Sequence, residues 1–225
     1  MHHSGAVARY WDARASRYLE LFRDEFQSKP YDLAVLETFA AALPAGARVC
    51  DAGCGPCGRV ARILSDRGLE VTGIDLSPKC VALARAEQPS LRFETMDMAA
   101  MSFDDCAFDG LVAYYALHDQ PKSTLPAVFR EFARVLGPGG RLLVVAKEGA
   151  GEGWIDDPMG LPVQVFWSAF SPEELRELCV NSGFQASSCD VRDPFPEEIP
   201  VRRIYLTAAR ARLGKANSGT TCRKT

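Results

Sequence analysis

Between Val49 and Val60 the chain reads VCDAGCGPCGRV, and these residues suit three different kinds of chemistry. Cys50, Cys54 and Cys57 stand at C-x3-C-x2-C spacing, enough thiolates to hold an iron–sulfur cluster. Gly53, Gly55 and Gly58 spell G-x-G-x-x-G, which lets backbone N–H groups close on the pyrophosphate of a dinucleotide. Asp51, directly before the glycines, sets a carboxylate where a cationic ligand would be held.

The elements around this stretch narrow the choice. ARVCDAG reads as a short strand and PCGRVARILSDRG as a helix, with Val60, Ile63 and Leu64 on one side and Gly68 as its stop. LEVTGIDLS is a second strand, and SPKCVALARAEQ a helix with Ser77 as cap and Pro78 in its first position. LRFETMD and FDGLVAYYAL follow as strands, the second apolar along its length, as a strand buried on both faces should be. From Thr124 a helix places Leu125, Val128, Phe129, Phe132, Val135 and Leu136 on one stripe and ends at GPGG. RLLVVAK is a fifth strand, Ser171 and Glu174 open a capped helix, and FQASSCDVRD and RRIYLTAAR are two strands with no helix between them. Ahead of all this, residues 4–27 and the segment from Pro30 to Leu43 read as helices. The alternation predicts an α/β fold with a doubly wound, mostly parallel seven-stranded sheet, Rossmann-like, whose last strand is antiparallel. Ligands of such sheets sit at the carboxyl ends of the strands.

A cluster needs its thiolates on one flexible loop, whereas Cys50 lies in a strand and Cys57 opens a helix, so their side chains should diverge. A pyrophosphate conflicts with Asp51, and Pro56 removes an N–H at the helix start. An adenosyl group carrying a sulfonium and an amino-acid tail suits both features. Asp51 can attract an ammonium, and Asp75, at the tip of the next strand, can accept from both ribose hydroxyls.

VCDAGCGPCG resembles motif I of class I S-adenosylmethionine (SAM)-dependent methyltransferases. VTGIDLSP, FETMDM, FDGLVAYYALHD, REFARVLGPGGRLLVV and FSPEELRELCVNSGF resemble, in order, the later segments of the methyltransferase 11/25 type families. The resemblance implies SAM as methyl donor, S-adenosylhomocysteine as product and no metal. It places Asp51, Gly53 and Gly55 on the methionine part, Asp75 on the ribose, Leu76 on the adenine, Asp97 and Met98 at the adenine edge, and Tyr114 beside the sulfonium. It also implies that residues 1–44 form a helical lid and 45–212 the SAM-binding domain, while the composition of 213–225 reads as a disordered tail. Tyr18 and Lys29 would then reach the methionine carboxylate from the lid. One departure is Cys57, which stands where the family usually has glycine, with Gly58 one place late; a positive φ at Cys57 would be strained.

His118 ends the fourth strand and is the candidate catalytic base, its other reading being structural packing. Tyr10, Tyr115 and Trp167 are candidate walls for the acceptor. Residues 148–170 read as a long loop whose Glu148, Glu152, Asp156 and Asp157 would favour an amine. The expected partner is a small molecule. A net charge of −3 and the absence of a long basic run argue against nucleic acid. No apolar run approaches membrane-spanning length, and the polar start suggests a cytoplasmic protein, monomer or homodimer. The eight cysteines, several within apolar runs, read as reduced thiols. A protein methyltransferase and a non-catalytic SAM sensor are the alternatives.

Overall fold

A computed structural model describes residues 3–212. The expected tail at 213–225 lies outside the described residues. The core is a seven-stranded sheet in the order β3-β2-β1-β4-β5-β9-β8. Its strands are β1 (Arg48–Ala52), β2 (Glu70–Asp75), β3 (Arg92–Thr95), β4 (Phe108–Tyr114), β5 (Leu136–Lys147), β8 (Phe184–Arg192) and β9 (Arg203–Arg210). β1 pairs in parallel with β2 and β4, β2 with β3, and β4 with β5. β9 runs antiparallel to both β5 and β8. The strand order reverses at β1, between β2 and β4, which is where an open α/β sheet forms its crevice.

Alternating side chains divide the core in two. Cys50, Leu111, Ala113, Leu142, Val144, Ala146 and Leu206 point to one face, against α5 (Leu125–Val135) and α6 (Pro172–Asn181). Val49, Val112, Leu143, Val145 and Tyr205 point to the other, against α2 (Pro30–Ala41), α3 (Arg59–Ser65) and α4 (Pro78–Glu87). A one-residue slip of β4 or β5 would exchange the two sets, so the register is strongly specified. Helix starts follow local chemistry. Ser77 Oγ accepts from Cys80 N at 3.0 Å, and Ser171 with Glu174 closes a capping box on α6.

The N-terminal helix α1 (His3–Phe22) ends earlier than residue 27, and a 3-10 turn at Glu25–Ser28 completes that segment. Val7, Tyr10 and Arg14, at i, i+3 and i+7, are buried on one stripe of α1. The expected loop at 148–170 is instead an antiparallel hairpin of β6 (Glu152–Asp156) and β7 (Gln164–Ser168), with Trp154 opposite Phe166. Its strands carry few β-branched residues, so they read weakly. Packing of Val7 and Tyr10 of α1 against Val165 gives the hairpin a core of its own. The GPGG segment, expected as a turn, lies within β5, and Gly139 takes φ 81° there. None of the helices among the described residues is long and apolar enough to cross a membrane.

Candidate active site

A single cavity opens at the carboxyl ends of β1, β2 and β4, beneath α1. Asp51, Gly53, Gly55, Asp75, Leu76, Met98, Tyr114 and Tyr115 line it from the sheet side, and Trp11, Tyr18, Glu25 and Phe26 from the N-terminal side. Asp119, Gln120 and Arg59 add polar groups to the wall.

The turn after β1 is built by hydrogen bonds from both sides. Gly53 N and Cys54 N donate to Ile74 O at 2.8 and 2.9 Å, clamping the turn to β2. Gly53 has φ 81°, and a Cβ there would lie 2.4 Å from Ala116 Cβ, so the turn requires glycine. Gly58, not Cys57, takes the left-handed conformation at the start of α3, with φ 57°. The late glycine therefore relieves the strain that a positive φ at Cys57 would bring.

Asp51 is 1% exposed, and its Oδ2 accepts from Ala61 N at 3.1 Å, capping α3 from the neighbouring strand. Burial pushes its carboxyl up to about 7, against the pull of that N–H. Asp75 Oδ2 accepts from Gly55 N at 3.0 Å, and its Oδ1 from Ser77 N at 2.9 Å. Burial lifts it to about 6. Each carboxylate thus spends part of its acceptor capacity on the loop and keeps the rest for a ligand. A helix start already capped by Asp51 is poorly arranged for a pyrophosphate.

Of the three motif cysteines, Cys50 points away from the others, into the core facing α5, while Cys54, packed against the opposite core, and Cys57 both border the cavity. Cys50, Cys54, Cys57, Cys80, Cys179 and Cys189 are free. Cys106 is disulfide-bonded, which corrects the expectation of a reduced thiol there.

The other expected site residues are placed as follows. Asp97, one residue before Met98, is outside the cavity wall, and its Oδ1 accepts from Ala99 N at 2.8 Å. Lys29 Nζ pairs with Glu25 Oε2 at 2.5 Å, so Glu25 rather than Lys29 reaches the wall. Tyr114 turns its hydroxyl to the buried Asp32, 2.6 Å away, leaving its ring on the cavity. Tyr10 is 4% exposed and packs under the hairpin, not on the cavity. Trp167 stacks on His118 with centroids 4.9 Å apart. His118 donates from Nδ1 to Ser168 O at 2.8 Å, and its Nε2 accepts from Lys147 N at 3.0 Å. Neither ring nitrogen is left to take a proton, and burial drives its pKa down to about 3. Three of the four acids expected to attract an amine are engaged elsewhere, and Asp156 is exposed on the hairpin. Glu148 pairs with Arg202, Glu152 accepts from Lys122 N, and Asp157 pairs with Arg14.

Of the wall residues, Glu25 and Phe26 carried no signal as site residues in the sequence, whereas Asp119 stands beside His118 at the expected end of the fourth strand, a place for acceptor-facing groups. Asp119 sits one position past His118 and holds α1 through Trp11 Nε1, 2.9 Å from its Oδ2. Glu25 and Phe26 sit in the short turn between helices, where periodicity is silent.

Residues 49–140 match the family described as "Methyltransferase domain". Over these residues the chain is similar to class I SAM-dependent methyltransferases. Over 139 residues it is 35% identical to a malonyl-[acyl-carrier protein] O-methyltransferase of Enterobacter lignolyticus, covering 61% of this chain and 51% of that one. It is 32% identical to a ubiquinone biosynthesis O-methyltransferase of Xanthomonas oryzae, covering 60% and 55%. The chain thus spans about half the length of these curated relatives. The fold matches magnesium protoporphyrin IX methyltransferase of Synechocystis, solved with S-adenosylhomocysteine, at TM-score 0.72 and 19% identity over 93% of this chain and 100% of that one. The motif I glycines and Asp75 lie inside the family match.

Proposed function

We propose that this chain binds SAM in the cavity beneath α1 and transfers its methyl group to O, N or C of a small-molecule acceptor, leaving S-adenosylhomocysteine. The observation that carries the reading is the pair of carboxylates, buried Asp51 and half-buried Asp75, at the ends of adjacent parallel strands on one cavity wall. Two carboxylates suit an ammonium and ribose hydroxyls and repel phosphate. The cradle also has room, since a Cβ at Gly55 would meet nothing within 4 Å.

When bound, the sulfonium supplies a methyl group already activated for displacement. The chain's own task is to hold donor and acceptor in line. In this reading Asp51 holds the ammonium, Asp75 the ribose, Leu76 and Met98 the adenine faces with Asp97 at its edge, and Tyr114 the sulfonium side. Tyr18 and Lys29 reach the methionine carboxylate once Lys29 exchanges Glu25 for it. Tyr115 and Trp167 wall the acceptor, and Tyr10 serves the lid. His118 positions the end of β5 and takes no proton, which accords with a reaction needing no strong base. The relatives named for O-methylation support oxygen as the accepting atom. The cavity's enclosure by α1 supports a small molecule over a peptide. A cytoplasmic location, as monomer or homodimer, belongs to the same reading, with the six free cysteines as support.

The test is calorimetric titration with S-adenosylhomocysteine. Wild type should bind, and Asp75→Asn should weaken binding by about 1–3 kcal/mol, the scale of a lost buried hydrogen-bonding group. Full affinity in the variant, or preference for NAD, overturns the reading. Incubating a metabolite extract with methyl-labelled SAM then identifies the acceptor.

A further inference from the structure

Lys147 is the last residue of β5, at the end of the apolar run LLVVA and at the sheet edge where ligands sit. Its backbone N–H is fixed by His118. Its ammonium lies 4.9 Å from the centre of the Trp167 ring and 5.8 Å from that of Tyr115. Tyr115 holds a strained backbone, φ 53°, and its ring is part of the cavity wall. Among the described residues, no carboxylate lies within ion-pair distance of Lys147 Nζ, and no hydrogen bond is made to it.

The neighbouring cations are all engaged. Lys29 pairs with Glu25, Arg14 with Asp157, and Arg203 lies 3.7 Å from Glu198. Asp119 is the acid facing this region, and its carboxylate accepts from Trp11. A largely buried ammonium resting on two aromatic faces gains cation–π attraction but still lacks a counter-charge. Burial, with Arg203 next in weight, brings its pKa down to about 8, so most of it is charged at neutral pH. A local surplus of positive charge beside an aromatic wall is arranged for an anion.

We propose that Lys147, between Trp167 and Tyr115, binds the carboxylate of the methyl acceptor, so the acceptor is an organic acid. The proposal rests on the methyl-transfer reading above. It reverses the amine acceptor that the acidic residues of 148–157 suggested, because Asp157, Glu148 and Glu152 are taken by Arg14, Arg202 and the Lys122 backbone, and Asp156 faces outward on the hairpin. A carboxylate could also come from the methionine end of the cofactor, and the test separates the two sources.

The experiment uses the full chain saturated with S-adenosylhomocysteine, titrated with benzoate, 3-phenylpropionate and octanoate and with the amide of each. Wild type should bind at least one acid tenfold or more tighter than its amide. Lys147→Met should erase that preference and Lys147→Arg should keep it, while S-adenosylhomocysteine affinity stays within twofold in all three proteins. No acid preference in wild type, or an unchanged preference in Lys147→Met, overturns the proposal. So does a loss confined to S-adenosylhomocysteine binding, which would assign Lys147 to the cofactor. Failure of wild type to bind S-adenosylhomocysteine at all is the separate failure of the methyl-transfer reading and also removes the basis for this one. Thermal unfolding of each variant confirms that the comparison is between folded proteins.

Discussion

The indole N–H of Trp11 donates to Oδ2 of Asp119 across 2.9 Å, tying α1 to the end of β4. A second tie joins Asp12 Oδ1 to Ser77 Oγ at 2.5 Å, at the start of α4. The N-terminal helix is thus anchored to the segments that follow β4 and β2, the strands at whose ends the cavity opens.

Trp11→Phe keeps the ring and removes the donor. The half-buried Asp119 carboxylate then loses a partner, at a cost of about 1–3 kcal/mol. The expected outcome is weaker S-adenosylhomocysteine binding by calorimetry together with faster proteolysis within residues 3–22 of the cofactor-free protein. A variant as tight-binding and protease-resistant as wild type would separate α1 from the cofactor.

Asp51 and Asp75 make both stability and affinity depend on pH. Burial raises them from the ordinary 3.8 to about 7 and about 6 in the free protein. Between about pH 4 and 7 the native state therefore binds more protons than the unfolded chain, and these groups lower stability as pH rises through that window. The ligand's ammonium favours the ionised carboxylates, so S-adenosylhomocysteine affinity should climb from pH 6 to pH 8. Proton release measured by calorimetry in two buffers checks the sign. Asp51→Asn should flatten the dependence.

His118 should contribute to stability and not to proton transfer. Its pKa falls from 6.5 to about 3 in the fold, so the native state binds fewer protons than the unfolded chain in that range. Its contribution is present above about pH 6.5 and is lost as pH falls toward 3. His118→Ala orphans Ser168 O and Lys147 N and should cost about 1–3 kcal/mol in urea unfolding. Methyl-transfer rates of the folded variant should show the same pH profile as wild type; loss of a titration near pH 6.5 would restore the base.

Asp32 holds the second layer. It is fully buried, accepts from Tyr114 and Tyr205 at 2.6 and 2.9 Å, and pairs with Arg192 at 3.1 Å. Asp32→Ala leaves the Arg192 charge without this partner, and breaking such a pair typically costs about 3–5 kcal/mol. Chemical denaturation should show the loss, and Asp32→Asn, which keeps the shape, should show less. Equal stability in all three proteins would mean that the pair adds nothing to the fold.

Much of this protein is written in local order along the chain. The alternation from Val49 onward, the apolar run 108–114 and the stripe 125–135 specify a doubly wound sheet, because periods of two and of 3.6 residues are properties of the chain alone. Asp51, Gly53, Gly55 and Asp75 were legible for the same reason: turn and strand tips follow from neighbours in sequence. What only the tertiary structure decided are partnerships between distant residues. The hairpin 152–168 exists because α1 lies against it, and no periodicity in EGWID announces that. His118 was assigned by position, but its two nitrogens are taken by Ser168 and Lys147, which are 50 and 29 residues away. Lys29 meets Glu25 rather than open solvent, and Lys147 is left, among the described residues, with two rings and no acid in ion-pair reach. Charge pairing and desolvation depend on what surrounds a group in space, and the chain's order does not carry that information.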